Sequence, residues 1–316
     1  MLLLIQYTLI FASVLLLVAL GGCVSEHSGV INLGLEGIMV MGALGGALVM
    51  KFMPYTAGSG NNLGMFLAVL GAAIVFGVVY SALLAVACIN LKADQTIVGT
   101  ALNMLGTALA TVAVKSMNTA MNPDDHSSEI FYGKAKESFI SLFGKFELNW
   151  FIIVALVLLV IIYVLLYKTK FGLRLRACGE HPQAAASVGI SVYKMRWAGV
   201  LISGLLAGIG GITYITAGVS TWKFENGVAG FGFLALAVMI FGAWHPFKIL
   251  GAALIFGFFR ALGNTYNGFD FLKALNIPSG VYNMLPYIVS LIVLACTSKN
   301  SKAPKAEGIP YDKGMR

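Results

Sequence analysis

The sequence predicts an all-α fold: a polytopic transmembrane helical bundle of about nine spans. Three observations carry this. The 316 residues are 59% hydrophobic and only 11% charged, whereas a soluble domain carries about 25% charged residues. The apolar residues fall in runs close to the ~20 residues that a helix needs to cross about 30 Å of hydrocarbon. Glycine is abundant, at 37 residues against 8 prolines, and glycine lets membrane helices approach backbone to backbone.

The candidate spans are Leu3–Gly22, Val30–Met50, Leu63–Asn90, Thr96–Val114, Trp150–Tyr167, Trp197–Ala217, Val228–Trp244, Ile249–Gly263 and Val281–Thr297. The first resembles a secretory signal, and Leu20-Gly21-Gly22-Cys23 resembles a lipoprotein cleavage box. It lacks a basic n-region, since Glu26 is the first charged residue, so it reads as a retained helix. The third run is long enough to tilt or break, and the eighth is short.

Alternating nine spans puts the two ends of the chain on opposite faces. With the C-terminus inside, 13 of the 21 Lys and Arg lie in inner segments, six of them between Lys168 and Arg196. The positive-inside rule therefore favours N-outside and C-inside. The net charge of +8 follows from this topology and does not indicate nucleic acid. Lys115–Asn149 is a polar outer segment with an expected amphipathic piece at Ala135–Phe146. The segment from Ser298 to Arg316 reads as a mobile polar end.

No enzyme site emerges. Cys23, Cys88, Cys178 and Cys296 are widely spaced, without C-x-x-C, and read as small packing residues. His27, His126, His181 and His245 lie in separate loops, so no metal site is expected. There is no Gly-x-x-x-x-Gly-Lys-Ser/Thr phosphate loop. The glycine run Ser203–Gly211 lacks the strand context of a nucleotide site and reads as helix packing, as do the pairs Gly42/Gly46 and Gly204/Gly208.

Three constellations remain. In the inner segment, Glu180 and Pro182 fit a helix start, Gln183–Val188 a short helix of small residues, and Gly189 its stop. Physics alone leaves an ordinary connecting helix and a docking helix equally open. In the second, Gly29–Ala43, Asn32 and Glu36 stand at i and i+4 and would share a helix face. A carboxylate inside a span is costly. Glu36 could line a solute path, tie helices together or snorkel, and the cost favours a structural or gating role over solute contact. In the third, Thr96, Thr100, Asn103, Thr107 and Thr111 form a polar stripe. It fits either a pathway wall or hydrogen bonding between helices; Asn103 is the better pathway candidate.

Gly179-Glu180-x-Pro182-x-Ala184-Ala185-x-x-x-Gly189-Ile190 resembles the cytoplasmic coupling loop of ABC importer permeases. The group is the one serving branched-chain amino acids, simple sugars and nucleosides. The run Asn32-x-Gly34-x-Glu36-Gly37 and the glycine run Ser203–Gly211 resemble the same group, the first its nucleoside and simple-sugar branch. The resemblance extends from about Val30 to Cys296.

It implies a single permease domain over residues 1–297, with the coupling loop at 168–196 and a cytoplasmic tail at 298–316. Glu180, Pro182, Ala184, Ala185, Gly189 and Ile190 would contact the ATPase subunit. Asn32, Glu36 and Asn103 would shape the substrate pathway. No cofactor is expected on this chain; ATP would be hydrolysed on a separate subunit. The implied partners are that ATPase, a second permease subunit in a heteromeric pair, an extracytoplasmic substrate-binding protein and membrane lipid. The implied setting is a prokaryotic inner membrane. Nucleosides lead as substrate class, before simple sugars and branched-chain amino acids. An ion-coupled secondary transporter is the alternative of another class, but it would be expected to show inverted repeats and interrupted helices, and the sequence shows no obvious repeat pair.

Overall fold

The computed structural model describes residues 2–53, 63–133, 149–217, 221–268, 279–297, 302–312 and 314. The expected amphipathic piece at Ala135–Phe146 lies outside them. The described chain is a helical bundle. Its helices are α1 (Leu2–His27), α2 (Leu35–Phe52), α3 (Leu63–Ala85), α4 (Gln95–Met121), α5 (Trp150–Lys168), α6 (Lys170–Glu180), α7 (Pro182–Ser187), α8 (Val192–Ile215), α9 (Phe231–Phe241), α10 (Pro246–Thr265) and α11 (Ser279–Thr297).

Among the described residues, eight helical segments are long and apolar enough to cross a membrane. The ninth expected span corresponds to α11, which is apolar and contains Pro286. The long third run is helical without a gap over Leu63–Asn90, α3 ending in a π-helical turn at Val86–Asn90. The short eighth run is in fact a 20-residue helix. The fourth outruns its expected end at Val114 and reaches Met121, because Lys115 and Asn118 find polar partners there in Glu225 and Lys51.

α1 is apolar around its whole circumference, as a helix surrounded by protein must be. It is buried without interruption from Ile10 to Glu26 and packs against α5, α8, α9 and α10. On its other side α8 packs against α2 and α3. Glycine makes that contact possible. A Cβ added at Gly42 would stand 2.5 Å from Gly208 O, and one at Gly208 would stand 2.5 Å from Ala73 O. Gly42 and Gly208 are therefore backbone-to-backbone joints between α2, α8 and α3, while Gly46 and Gly204 make room for the side chains of Ile212 and Ser81.

Two departures from the sequence reading position the functional residues. The seventh expected span, Val228–Trp244, lies in an apolar segment long enough to cross a membrane, Phe224–Phe241, but its α-helix begins only at Phe231. A strand, Thr221–Lys223, and a 3-10 turn, Phe224–Asn226, precede α9, which at 11 residues spans only about 16 Å. The strand pairs antiparallel with Glu129–Phe131, a small β-ribbon that no apolar pattern announced. The tail also differs from the expected mobile end. Pro304, Ala306 and Tyr311 are buried against the bundle.

Side-chain contacts place the segments at 27–31, 90–95, 176–196, 242–248 and 302–312 at one end of the bundle. Lys92 pairs with Asp312, Gln95 bonds Ile31, and Trp244 bonds Glu26. These segments are the ones that nine alternating spans put on a common side.

Candidate functional site

The first candidate site is the break between the strand at Thr221–Lys223 and α9. The chain turns through Gly227, Ala229 and Gly230, all at positive φ (56°, 53° and 77°), before α9 begins at Phe231. A helix N-terminus presents unpaired N–H groups and partial positive charge, and it needs an acceptor. Glu36 supplies one from the first turn of α2. Its Oε1 accepts from Gly230 N–H at 2.8 Å and its Oε2 from Gly232 N–H at 2.6 Å. Residue 232 must be glycine for this approach: a Cβ there would lie 2.5 Å from Glu36 N. Tyr287 of α11 donates to Ala229 O at 2.9 Å, and Trp222 to Gly227 O at 3.0 Å. The guanidinium of Arg260, on α10, lies over the Phe231 ring at 5.3 Å, and Tyr214 packs on that ring from α8.

Asn32 and Glu36 do not share a helix face. α2 begins only at Leu35, and Asn32 lies in the non-helical segment before it. Asn32 is fully buried and donates to Ser203 Oγ of α8 at 2.8 Å, away from the break. Asn103 of α4 accepts from Gly37 N–H and donates to Leu33 O, each at 2.8 Å. It satisfies backbone groups at the start of α2, one turn from Glu36. The threonines behave differently from the interhelical bonding that the stripe allowed. Thr100 and Thr107 bond back to carbonyls of their own helix. Thr107 approaches the break, with Gly227 beside it.

The second candidate site is the loop at the common end. Thr169 caps α6 by accepting from Gly172 N–H. Glu180 ends α6 and does not start α7; His181 separates the two helices, and Pro182 takes the first position of α7. Gly189 does stop α7, at φ 84°, with Ile190 N–H bonding Ala185 O at 3.1 Å. The six coupling candidates divide by orientation. Glu180, Ala184 and Gly189 are exposed, Pro182 and Ala185 are buried, and Ile190 is half-buried. Ala185 packs with Cys178, Val192 and Tyr311. Gly179 is pressed against the end of α1 at His27.

Residues 302–312 lie across this loop. Ala306 N–H donates to Gly179 O at 2.8 Å, Arg196 donates to Ile309 O at 2.9 Å, and Tyr311 packs edge-on to Tyr193. Burial pushes the Glu307 carboxyl up to about 7.

Sequence reasoning missed Arg260, Tyr214 and Tyr287. Arg260 was a visible signal, a charge inside an apolar run. Its significance depends on the break, whose last residues, Val228–Gly230, read in the sequence as the start of an apolar span.

The arrangement defines a class: a multi-pass membrane transport subunit whose helices carry a polar break within the bundle and a docked loop at one end. The chain belongs to the family described as branched-chain amino acid transport system / permease component, whose profile matches residues 4–296. The match includes the first span, which the motifs alone had left outside. The chain is 39% identical to the guanosine ABC transporter permease protein NupQ of Bacillus subtilis, over 98% of this chain and 96% of that one. It is 37% identical to the nucleoside ABC transporter permease protein NupC of Lactococcus lactis, over 96% and 95%. It is 31% identical to the putative glucose ABC transporter permease protein TsgC13 of Haloferax volcanii, over 92% and 90%. It is a multi-pass protein of the prokaryotic inner membrane.

Proposed function

We propose that this chain is the membrane-spanning subunit of an ATP-driven importer for nucleosides. The observation that carries the reading is 39% identity to the guanosine permease NupQ over nearly the whole of both chains. The chain forms a heteromeric pair with a second permease subunit, and an extracytoplasmic binding protein delivers the solute to the outer loops. Hydrolysis of ATP takes place on a separate ATPase subunit, which docks on the end carrying α7. The N-terminus is outside and that end is cytoplasmic, in keeping with its basic residues.

In this mechanism the exposed face of α6–α7, with Glu180, Ala184 and Gly189, meets the ATPase. Pro182, Ala185 and Ile190 seat α7 on α8. Closure of the ATPase dimer moves α7, and α8 conveys the motion to Ser203 and Asn32. Glu36 and Asn103 hold the non-helical segments that border the pathway. A sugar importer is the second reading, favoured by the likeness to the putative glucose permease TsgC13.

The test is uptake of radiolabelled guanosine and ribose into proteoliposomes holding the chain with its partners, with and without internal ATP. ATP-dependent guanosine uptake supports the proposal. Ribose uptake alone moves the substrate class to sugars. Uptake by this chain alone, driven by an ion gradient and indifferent to ATP, overturns it.

A further inference from the structure

We infer that Arg260, with Tyr287 beside it and Tyr214 packed behind, forms a solute-recognition site at the α9 break that takes the planar, acceptor-rich base of a nucleoside. The inference rests on the nucleoside reading and adds the residues that would read the solute.

Arg260 is 14 residues past Pro246 in α10, so it sits about 21 Å along the helix from that end. That leaves five residues to the other end of the helix; a charged side chain within a span is normally paired, snorkels to the interface or faces a water-filled cavity. Among the described residues Arg260 makes no ion pair; Lys92, Lys115 and Lys223 are the cations that do. Its Nε is shielded from solvent and has no hydrogen-bond partner. Both oxygens of Glu36 are engaged by Gly230 and Gly232. Glu36 is thus the anchor of the break, and Arg260 is the charge left over.

The turn is uncovered by the chain on this side. Asn226 and Ala229 are exposed in a non-helical turn, and Tyr287 is 36% exposed beside them. Irregular backbone at membrane depth is tolerated only where it is covered by protein or lines water. Tyr287 supplies an open aromatic face, while Phe231, under the Arg260 guanidinium at 5.3 Å, and Tyr214 are buried behind it. A guanidinium fork pairs with two acceptors in one plane, as on the O6/N7 edge of guanine. Aromatic faces stack on bases of any sequence. A branched aliphatic side chain offers neither acceptors nor a flat ring.

The experiment uses the assembled importer in proteoliposomes. Arg260→Gln is expected to lower ATP-dependent guanosine uptake about tenfold or more. Arg260→Lys keeps the charge without the fork and is expected to restore less than half of the uptake. Arg260→Cys is expected to react with an aqueous methanethiosulfonate reagent above the parent background, and guanosine should slow that reaction. Phe258→Cys, on the outer face of the same helix, should gain no protection from guanosine. Parent-like uptake by Arg260→Gln, full rescue by Arg260→Lys, or absence of guanosine protection at Arg260→Cys would each overturn the inference while leaving a guanosine-competent parent intact. A parent complex that takes up no guanosine overturns the nucleoside reading and this inference together.

Discussion

Replacing Glu36 tests how the break is held. Its carboxylate accepts two backbone N–H bonds at 2.8 and 2.6 Å. Hydrogen bonds to a charged group contribute about 1.5–3 kcal/mol each. Glu36→Gln keeps one acceptor oxygen and turns the other into a donor facing an N–H, so it loses one bond. Since 1.36 kcal/mol is a factor of ten, opening of the turn before α9 becomes about 10- to 150-fold more frequent. Glu36→Ala leaves both N–H groups without acceptors and costs about 3–6 kcal/mol, a large share of a typical folding free energy of 5–15 kcal/mol. Hydrogen–deuterium exchange in nanodiscs reads this directly, in peptides covering Phe224–Leu234. Exchange should quicken from parent to Glu36→Gln to Glu36→Ala, with guanosine uptake falling in the same order. Parent-like exchange in Glu36→Ala would refute the reasoning, because the two amides would then be satisfied by something other than this carboxylate.

Other outcomes follow from the same geometry. Ala184→Trp, on the exposed side of α7, should leave thermal stability in detergent unchanged and uncouple ATPase activity from uptake. Ala185→Trp, at a site 4% exposed, should lower stability by about 1–3 kcal/mol through overpacking, visible as a lower melting temperature. Gly208→Ala should force α3 away from α8, since its Cβ would meet Ala73 O at 2.5 Å; reduced melting temperature with normal membrane insertion is expected. The Glu307 carboxyl, raised by burial to about 7 from 4.5, holds its proton more tightly docked than free. Its contribution to docking is therefore full below about pH 4.5 and lost as the pH rises through about 7. A nitroxide at Lys302→Cys should be more mobile at pH 8 than at pH 6, and Glu307→Gln should remove that difference.

The spans were legible because hydropathy is a property of each run by itself. The helix stop at Gly189 was legible too, since glycine at positive φ is a local requirement. What decides the site is not local. Glu36 finds its partners 194 and 196 residues away, and nothing near Glu36 announces a helix N-terminus waiting there. The apolar stretch from Val228 onward matches an unbroken span by composition, yet its first residues form a turn stabilised by that distant carboxylate. The i, i+4 spacing of Asn32 and Glu36 misled because the helix begins between them. Gly42 and Gly208 each stood in a recognisable small-residue pair, but that they face one another is a fact of packing. The orientation of Ala184 and Ala185, adjacent and chemically alike, is set by which side of α7 meets Cys178 and Val192.

The glycine joints have a mechanical consequence. Where Gly42, Gly77 and Gly208 bring α2, α3 and α8 together, main chain meets main chain, leaving no rotamer at those points to absorb a displacement. Dense packing of this kind transmits strain and does not dissipate it. The three helices therefore share one stiffness. A push at Val192 arrives at Ser203, about 16 Å along α8, undiminished, and through Asn32 at the head of α2. Compliance is left to non-helical backbone, and the turn at Gly227–Gly230, bonded to α2 through Glu36, is such a segment. The bundle is built as a rigid arm with a soft joint at its tip, and the joint lies beside Arg260.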